Sequence, residues 1–409
     1  MMELVGVIVA VALVFVLLFL RKNMALVMLG GSLVLALFMR VDLPESFGII
    51  RDALTSADAI NLLAAIMGVG ILGELMYYNG AMEKAIAALK ALIRDSRVLI
   101  MLLPSLIALL PIPGGAYFSA PLVEQVGMGL KMSPARKALA NVYFRHFIMS
   151  VFPFFPGFIA MISLSDISAG PLAALSIPPV AVASLVGTWF IFRKTGRESP
   201  VKGEQLHFVE NIKNFLYGLL PVILAAAALV VLGWPFWAAL LPALAVALLQ
   251  YLAGKGWPAE LKNRLFLLLK GIPVMVLLGV AGIMVFKEFI ANSGAMEQLS
   301  ELFNNAGIPP VLLILLFPYL AGLVTGSCYA SLGLTLPVLV PLLGITGNST
   351  AMLVLAYQGA FWGYVVSPVH LCQLLTAEYF KVPLTAILPH LAWNGAVVLA
   401  LSTAYLILL

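Results

Sequence analysis

The chain has 409 residues, of which 63% are hydrophobic and only 10% charged, and its formal net charge is +5. A soluble protein of this length carries about a quarter charged residues, so composition excludes a water-soluble globular protein and places the chain in a membrane. The excess of basic residues then reads as a topology signal, and no nucleic-acid partner is expected.

The first apolar run, residues 5–20, has no basic stretch before it and no small-residue cleavage site after it; Arg21 and Lys22 follow instead. It reads as a retained first span with its N-terminus outside. Spans follow at 24–38 and 59–78, then an amphipathic arm at 81–97. Residues 98–130 form a helix–break–helix, interrupted at Pro111-Ile112-Pro113-Gly114-Gly115. A long span at 135–165 is broken around Pro153 and Pro156, and another runs over 171–192. The charged stretch 193–213 separates the halves. Beyond it lie spans at 215–232, 236–253 and 265–291, then a short arm at 295–305. A second interrupted pair, 311–343, breaks at Thr325-Gly326-Ser327-Cys328. The spans 351–380, broken at Ser367-Pro368, and 384–408 complete the chain.

The halves repeat at a constant shift of 214 residues. Gly68 falls on Gly282, Glu74 on Glu288, Pro104 on Pro318 and Tyr143 on Tyr357. Gly80-Ala81-Met82-Glu83 falls on Gly294-Ala295-Met296-Glu297. Glu74 and Glu288 each sit just before this corner and read as structural braces of the arms. The organisation is repeat 1 over 1–192, a cytoplasmic linker over 193–213 and repeat 2 over 214–409. If both interrupted pairs are re-entrant hairpins, each half crosses an odd number of times and the second half is inverted. Most of the 23 Lys and Arg then fall on the cytoplasmic side, and both termini lie outside. The arm at 81–97 carries Lys84, Lys90, Arg94 and Arg97, whereas the arm at 295–305 carries only acidic charges, Glu297 and Glu301. One motif with opposite charge is what the positive-inside rule gives for an inverted repeat. The expected class is an all-α polytopic membrane protein of the cytoplasmic membrane. It has about ten transmembrane helices plus two re-entrant hairpins in two inverted-topology repeats.

Irregular backbone at membrane depth survives only where protein or a watery cavity satisfies it, so the tips and breaks are the candidate sites. The first tip, continuing through Ala116 and Ser119, offers mainly backbone: its prolines stop the helix, and Gly114 and Gly115 let a ligand approach. The second offers Thr325, Gly326, Ser327 and Ser331, whose oxygens suit a hard cation such as Na⁺ or simply satisfy helix ends. Ionisable side chains inside a membrane are costly and functional by default. Arg145 lies nine residues past Arg136, roughly 13 Å along the axis and near the midplane. Its fork can hold a carboxylate or phosphate, or pair with Glu124 on the first hairpin. His146 and His370 titrate near neutral pH and are candidate proton carriers, together with Glu124. Asn141, Gln358 and Ser367 add neutral polar contacts to a small anionic substrate, or serve as helix-packing glue.

Intramembrane hydrolases need paired aspartates, a His-Glu-x-x-His site or a serine–base pair. Asp is absent from the span interiors, and His146, His207, His370 and His390 show no ligand spacing. Cys328 and Cys372 fall in apolar segments and read as small buried thiols. No catalytic residue, resident metal or cofactor is therefore expected, beyond H⁺ or Na⁺ as coupling ion, and the chain reads as no enzyme. A Walker A loop is also missing. Secondary transport of a small organic anion is the leading reading. Export or exchange of another anion, phosphorylated or lipid-linked, is the alternative, ahead of a membrane-embedded enzyme or a scaffold subunit.

The pattern of three spans, arm, hairpin, broken helix and final span, repeated with inversion, resembles the ion transporter superfamily. That group contains divalent anion/sodium symporters, gluconate permeases and TRAP large subunits. The segments 111–119, 325–331, 153–157 and 367–372 carry the resemblance, which is nearest to an uncharacterised branch of integral membrane proteins. It implies homodimers in lipid, an elevator motion of the hairpins and the last two spans of each half, and the arms as hinges. Neither tip has the Ser-Asn-Thr signature of the dicarboxylate symporters, and the buried Arg145, His146 and His370 favour H⁺ over Na⁺.

Overall fold

The computed structural model describes residues 2–408 apart from 21, 110–114, 166, 194, 196–207, 256–268, 270, 296–297, 299–300, 302–304, 306 and 345–349. All regular structure among the described residues is helical. Repeat 1 comprises α1 (Met2–Phe19), α2 (Met24–Met39), α3 (Leu43–Thr55), α4 (Ala57–Tyr78), α5 (Ala81–Leu92), α6 (Ser96–Ala108), α7 (Gly115–Gly129), α8 (Pro134–Phe147), α9 (Pro156–Ser165) and α10 (Ala169–Phe192). Repeat 2 comprises α11 (Phe208–Ala226), which runs into a π turn at Ala227–Val231, then α12 (Phe236–Lys255), α13 (Val274–Ala291), α14 (Pro310–Thr325), α15 (Cys328–Leu342), α16 (Thr350–Val365), α17 (Leu371–Tyr379) and α18 (Leu388–Ile407). Among the described residues, six helices are long and apolar enough to cross a membrane: α4, α10, α11 with its π extension, α12, α13 and α18.

The repeat seen in sequence is a repeat of packing. α1 lies on α2 as α11 lies on α12, and α13 on α2 as α4 on α12. These six helices form one bundle. In the other, α6 and α7 form a hairpin, as do α14 and α15. Each hairpin's first arm lies on the broken helix that follows it, α6 on α8 and α14 on α16. Its second arm lies on the broken helix of the other repeat, α7 on α17 and α15 on α9. The halves are thus interlocked and cannot fold as separate domains.

Small residues set the closest approaches. Gly359 and Gly363 form a GxxxG face on α16 opposite Gly322 on α14. A Cβ at Gly322 would sit 2.7 Å from the Tyr364 nitrogen, and one at Gly363 would sit 2.8 Å from the Tyr319 carbonyl carbon. Such backbone-to-backbone contact is how apolar helices associate in lipid, where no hydrophobic drive exists between them. Gly187 on α10 does the same for a side chain, leaving room for the Tyr143 ring, whose hydroxyl donates to the Ala183 carbonyl at 2.7 Å.

Three boundaries differ from the sequence reading. Residues 43–55, given no element between the spans at 24–38 and 59–78, form α3. Asp42 caps it by accepting from the Glu45 N–H at 2.9 Å, and its apolar face packs on α13. The span read at 265–291 begins only at Val274, because Pro273 has no N–H to extend the helix; residues 265–268 lie outside the described residues. The linker read at 193–213 ends early, since α11 starts at Phe208. Most of the second arm, 295–305, lies outside the described residues, as does the counterpart of α3 at 257–269, apart from Leu269.

Gly363→Ala is expected to lower the thermal stability of the detergent-purified protein. The Cβ meets backbone that cannot yield, and overpacking costs about 1–3 kcal/mol. A melting temperature unchanged from wild type would remove the close-packing role.

Candidate functional site

Both broken helices stop where the sequence withdraws N–H donors. α8 ends at Phe147, a 3₁₀ turn covers Ile148–Ser150, and helix resumes at Pro156. Pro153 and Pro156 supply no N–H across this break. α16 ends at Val365, and α17 starts at Leu371 after Ser367-Pro368. The freed carbonyls find side chains. The Gln373 amide donates to the Val365 carbonyl, and the Ser367 hydroxyl donates to Leu323 of hairpin 2 at 2.6 Å. Ser105 of hairpin 1 donates to the Phe144 carbonyl, also at 2.6 Å.

The second hairpin tip is wedged between the two breaks. Gly326 ends α14 in the left-handed region, φ 62°, and a Cβ there would stand 3.3 Å from the His370 nitrogen. On its other side, a Cβ at Gly157 would stand 2.6 Å from the Cys328 sulfur. Only glycine fits at both places. The first tip, Gly114 included, lies outside the described residues up to residue 114, and Gly115 opens α7.

Around this wedge the fold gathers side chains distant in sequence. The ring centroids of His146 and His370 are 4.7 Å apart, and Tyr364 lies 4.1 Å from His370 and 5.6 Å from His146. The Cys372 sulfur and one nitrogen of each histidine lie within 4.8 Å of one another. Arg145, His146 and His370 are each at most 2% exposed. Arg145 Nε and Nη1 and His146 Nε2 have no hydrogen-bond partner, and the His370 ring faces the backbone of Tyr364 and Val365. His146 Nδ1 contacts the Val142 carbonyl at 2.6 Å. A carbonyl only accepts, so Nδ1 carries the proton and Nε2 presents a lone pair.

Arg145 stands apart in electrostatic terms. A buried ion is expensive unless paired, and the ion pairs among the described residues are elsewhere: Arg51–Asp52 at 2.8 Å and Lys137–Glu124 at 3.7 Å. Arg145 occupies the last turn of α8, where the helix dipole favours a cation by about 0.3–1 kcal/mol. That offsets a small part of the desolvation cost. Glu124, one expected partner of Arg145, instead faces Lys137 and accepts from the Tyr379 hydroxyl at 2.7 Å. It is partly exposed and belongs to the far end of hairpin 1.

The other expected polar residues divide into two groups. Asn141 donates to the Ala116 carbonyl and to Thr376 Oγ1, both at 3.0 Å, tying hairpin 1 to α8 and α17. Ser119 donates to Ala116 in the same knot, at 3.2 Å. Gln358 is buried with Nε2 unpartnered. At the second tip, Thr325 Oγ1 donates to the Ser327 carbonyl, Ser327 Oγ caps α15, and Ser331 donates to Pro318 across the hairpin at 2.6 Å. The Thr325 and Ser331 hydroxyl protons are committed within the hairpin, whereas Ser327 Oγ accepts from the Ala330 N–H. Cys372, read as a small buried thiol, is only partly buried, and Tyr364, Gln373 and Thr376 were not singled out by the sequence reading. Only their closeness to the Ser367-Pro368 break pointed to them.

The two bundles meet across an apolar seam. A void of about 10 Å³ there is lined by Val69, Leu72, Met76, Leu109, Phe152 and Phe154, among others. A larger cleft of about 560 Å³ opens beside Asp58 and Asn61 of α4, between the α9–α10 corner and the π turn after α11.

These features define an all-helical, multi-pass membrane protein of two interlocked structural repeats. The chain belongs to the family of proteins of unknown function DUF401, whose profile matches residues 3–409. This agrees with the sequence reading of an uncharacterised integral membrane branch. Among curated proteins none matches the chain. Its fold is similar to the crystal structure of the Alcanivorax borkumensis YdaH transporter, reported to have an unusual topology. The TM-score is 0.63 at 16% identity, over 94% of this chain and 98% of that one.

Asn141→Leu is expected to destabilise the fold. It removes the donor to Thr376 Oγ1 and one of the two side-chain donors to the Ala116 carbonyl, and the orphaned hydroxyl costs about 1–3 kcal/mol. Chemical denaturation in detergent reads the loss, and unchanged stability would mean that water replaces the amide.

Proposed function

We propose that this protein is a secondary transporter that carries a small organic anion, a carboxylate or sugar acid, across the cytoplasmic membrane. The observation that carries the reading is Arg145: fully buried, at the break of α8, with two guanidinium nitrogens unpartnered. An unpaired cation at such a place is an anion site waiting for its counter-charge, and a guanidinium fork matches a carboxylate. The wedge of Gly326 between the two breaks places backbone and the His146–His370 pair close to the same point. The transporter of similar fold is in keeping with this reading.

The motion follows from the architecture. The hairpins, broken helices, α10 and α18 move as one body against α1, α2, α4, α11, α12 and α13. The apolar seam between them has few polar bonds to break, and the cleft beside Asp58 and Asn61 is the opening on one side. This is an elevator-type motion in inverted repeats of the ion transporter superfamily kind. Coupling is to H⁺, with His146 and His370 as carriers. Sodium is the second reading, with the hydroxyl oxygens of Thr325 and Ser331 at the second tip as its candidate ligands.

The test is uptake of a panel of carboxylates and sugar acids into proteoliposomes, with pH and Na⁺ gradients imposed separately. A pH gradient alone is expected to drive accumulation. Arg145→Ala is expected to lower uptake by about 10–100-fold, since a hydrogen bond to a charged group contributes about 1.5–3 kcal/mol. Unchanged uptake by Arg145→Ala would overturn the anion-site role.

A further inference from the structure

We propose that His146, His370 and Cys372 form a binding site for a transition-metal ion of the zinc type, at the junction of the two broken helices. Three observations carry it, and none depends on the transport reading. The first is composition and proximity: two imidazoles and a thiol, with ligand atoms within 4.8 Å of one another. The ligand atoms of a tetrahedral zinc site are about 3.3–3.8 Å apart, as follows from Zn–N near 2.0–2.1 Å and Zn–S near 2.3 Å.

The second is the orientation of His146. Metal-ligating histidines donate their other ring N–H to a carbonyl or carboxylate, which fixes the tautomer and aims the lone pair. The Nδ1–H of His146 donates to the Val142 carbonyl at 2.6 Å, and the remaining Nε2 is buried without a partner. The third is that the His370 ring is buried at the same point, against the backbone of Tyr364 and Val365. The unsatisfied Nε2 of His146 beside it is a deficit that a metal ion answers directly.

The chemistry of the set narrows the ion. Imidazole and thiolate are borderline-to-soft ligands and select zinc-like ions over Na⁺, Mg²⁺ or Ca²⁺, which prefer oxygen. Binding displaces the Cys372 thiol proton to solvent, and the thiolate cancels one of the two positive charges. Three protein ligands leave a fourth position for water or a small anion, the arrangement of an open rather than a structural site. Nearby Arg145 makes an anion the better occupant.

The experiment uses the full-length protein in detergent, stripped of metal by chelation, and titrated with Co²⁺ as a spectroscopic stand-in for Zn²⁺. One Co²⁺ per chain is expected, with a near-ultraviolet thiolate-to-cobalt charge-transfer band that Zn²⁺ abolishes. Cys372→Ser should lose the band and bind at least about tenfold more weakly, and His370→Gln should lose stoichiometric binding; a His ligand is worth no less than the 10–100-fold of its outer-shell partner. His390→Gln, which alters a histidine stacked near Phe190 and outside the cluster, should bind as wild type. Each variant is first checked for wild-type elution on gel filtration. Absence of stoichiometric binding to the wild-type protein, or equal binding by Cys372→Ser and His370→Gln, overturns the proposal. The readout is binding alone, so its outcome is distinguishable from that of uptake; stoichiometric metal on these imidazoles would move proton coupling away from His146 and His370.

Discussion

The structure depends on one constraint: a helix that breaks inside a membrane must find partners for every carbonyl and N–H it frees. Here the partners are side chains of neighbouring elements. Ser105 of the first hairpin reaches Phe144 on α8, Ser367 after α16 reaches Leu323 on the second hairpin, and Gln373 spans its own break to Val365. Each bond fixes a hairpin to a broken helix or one half of a break to the other. The same bonds that make irregular backbone tolerable therefore tie these elements to one another. The void between them and the six-helix bundle is lined by apolar side chains.

The duplication is faithful in backbone and unfaithful in chemistry. At the shift of 214 residues, Arg145 and His146 correspond to Gly359 and Ala360, and His370 corresponds to Pro156. In repeat 2 those positions on α16 serve close packing, with Gly359 against the Leu315 backbone. In repeat 1 they carry the charge. A glycine that allows helix contact and an arginine that needs volume cannot share one position. The tight pairing of α14 with α16 is thus confined to repeat 2, and the ionisable site draws Arg145 and His146 from α8 alone. Among the described residues, Arg145 and His146 have no ionisable counterpart at the corresponding positions of α16.

Much of the fold was legible because glycine and proline carry their structural reasons in their identity. Matched prolines at 104 and 318 and matched corners at 80 and 294 gave the repeat, and Pro153, Pro156 and Pro368 gave the breaks. Arg145, His146 and His370 stood out because charge in an apolar run is conspicuous. What could not be read was adjacency. Nothing in the spacing of His146 and Cys372 predicts that they meet, because that contact is made by the interlock of the halves. Glu124 was a reasonable partner for Arg145 by type, yet hairpin 1 carries it to Lys137 and Tyr379. α3 was missed because Asp42, Glu45, Arg51 and Asp52 dilute its hydropathy, although Phe47, Ile50 and Leu54 keep a helical spacing.

The unbalanced centre links stability to occupancy. Arg145 leaves two nitrogens without partners in a site closed to water, and the α8 dipole offsets only a fraction of that cost. A ligand that supplies negative charge there recovers the desolvation already incurred, because the cation was buried when the chain folded. Binding then begins with the arginine dehydrated and the fork in place, so little ordering remains to be done. On the proposed reading, an anion that fills the site stabilises the fold by mass action. A centre built this way selects by charge first and by shape second, since the penalty it relieves is electrostatic.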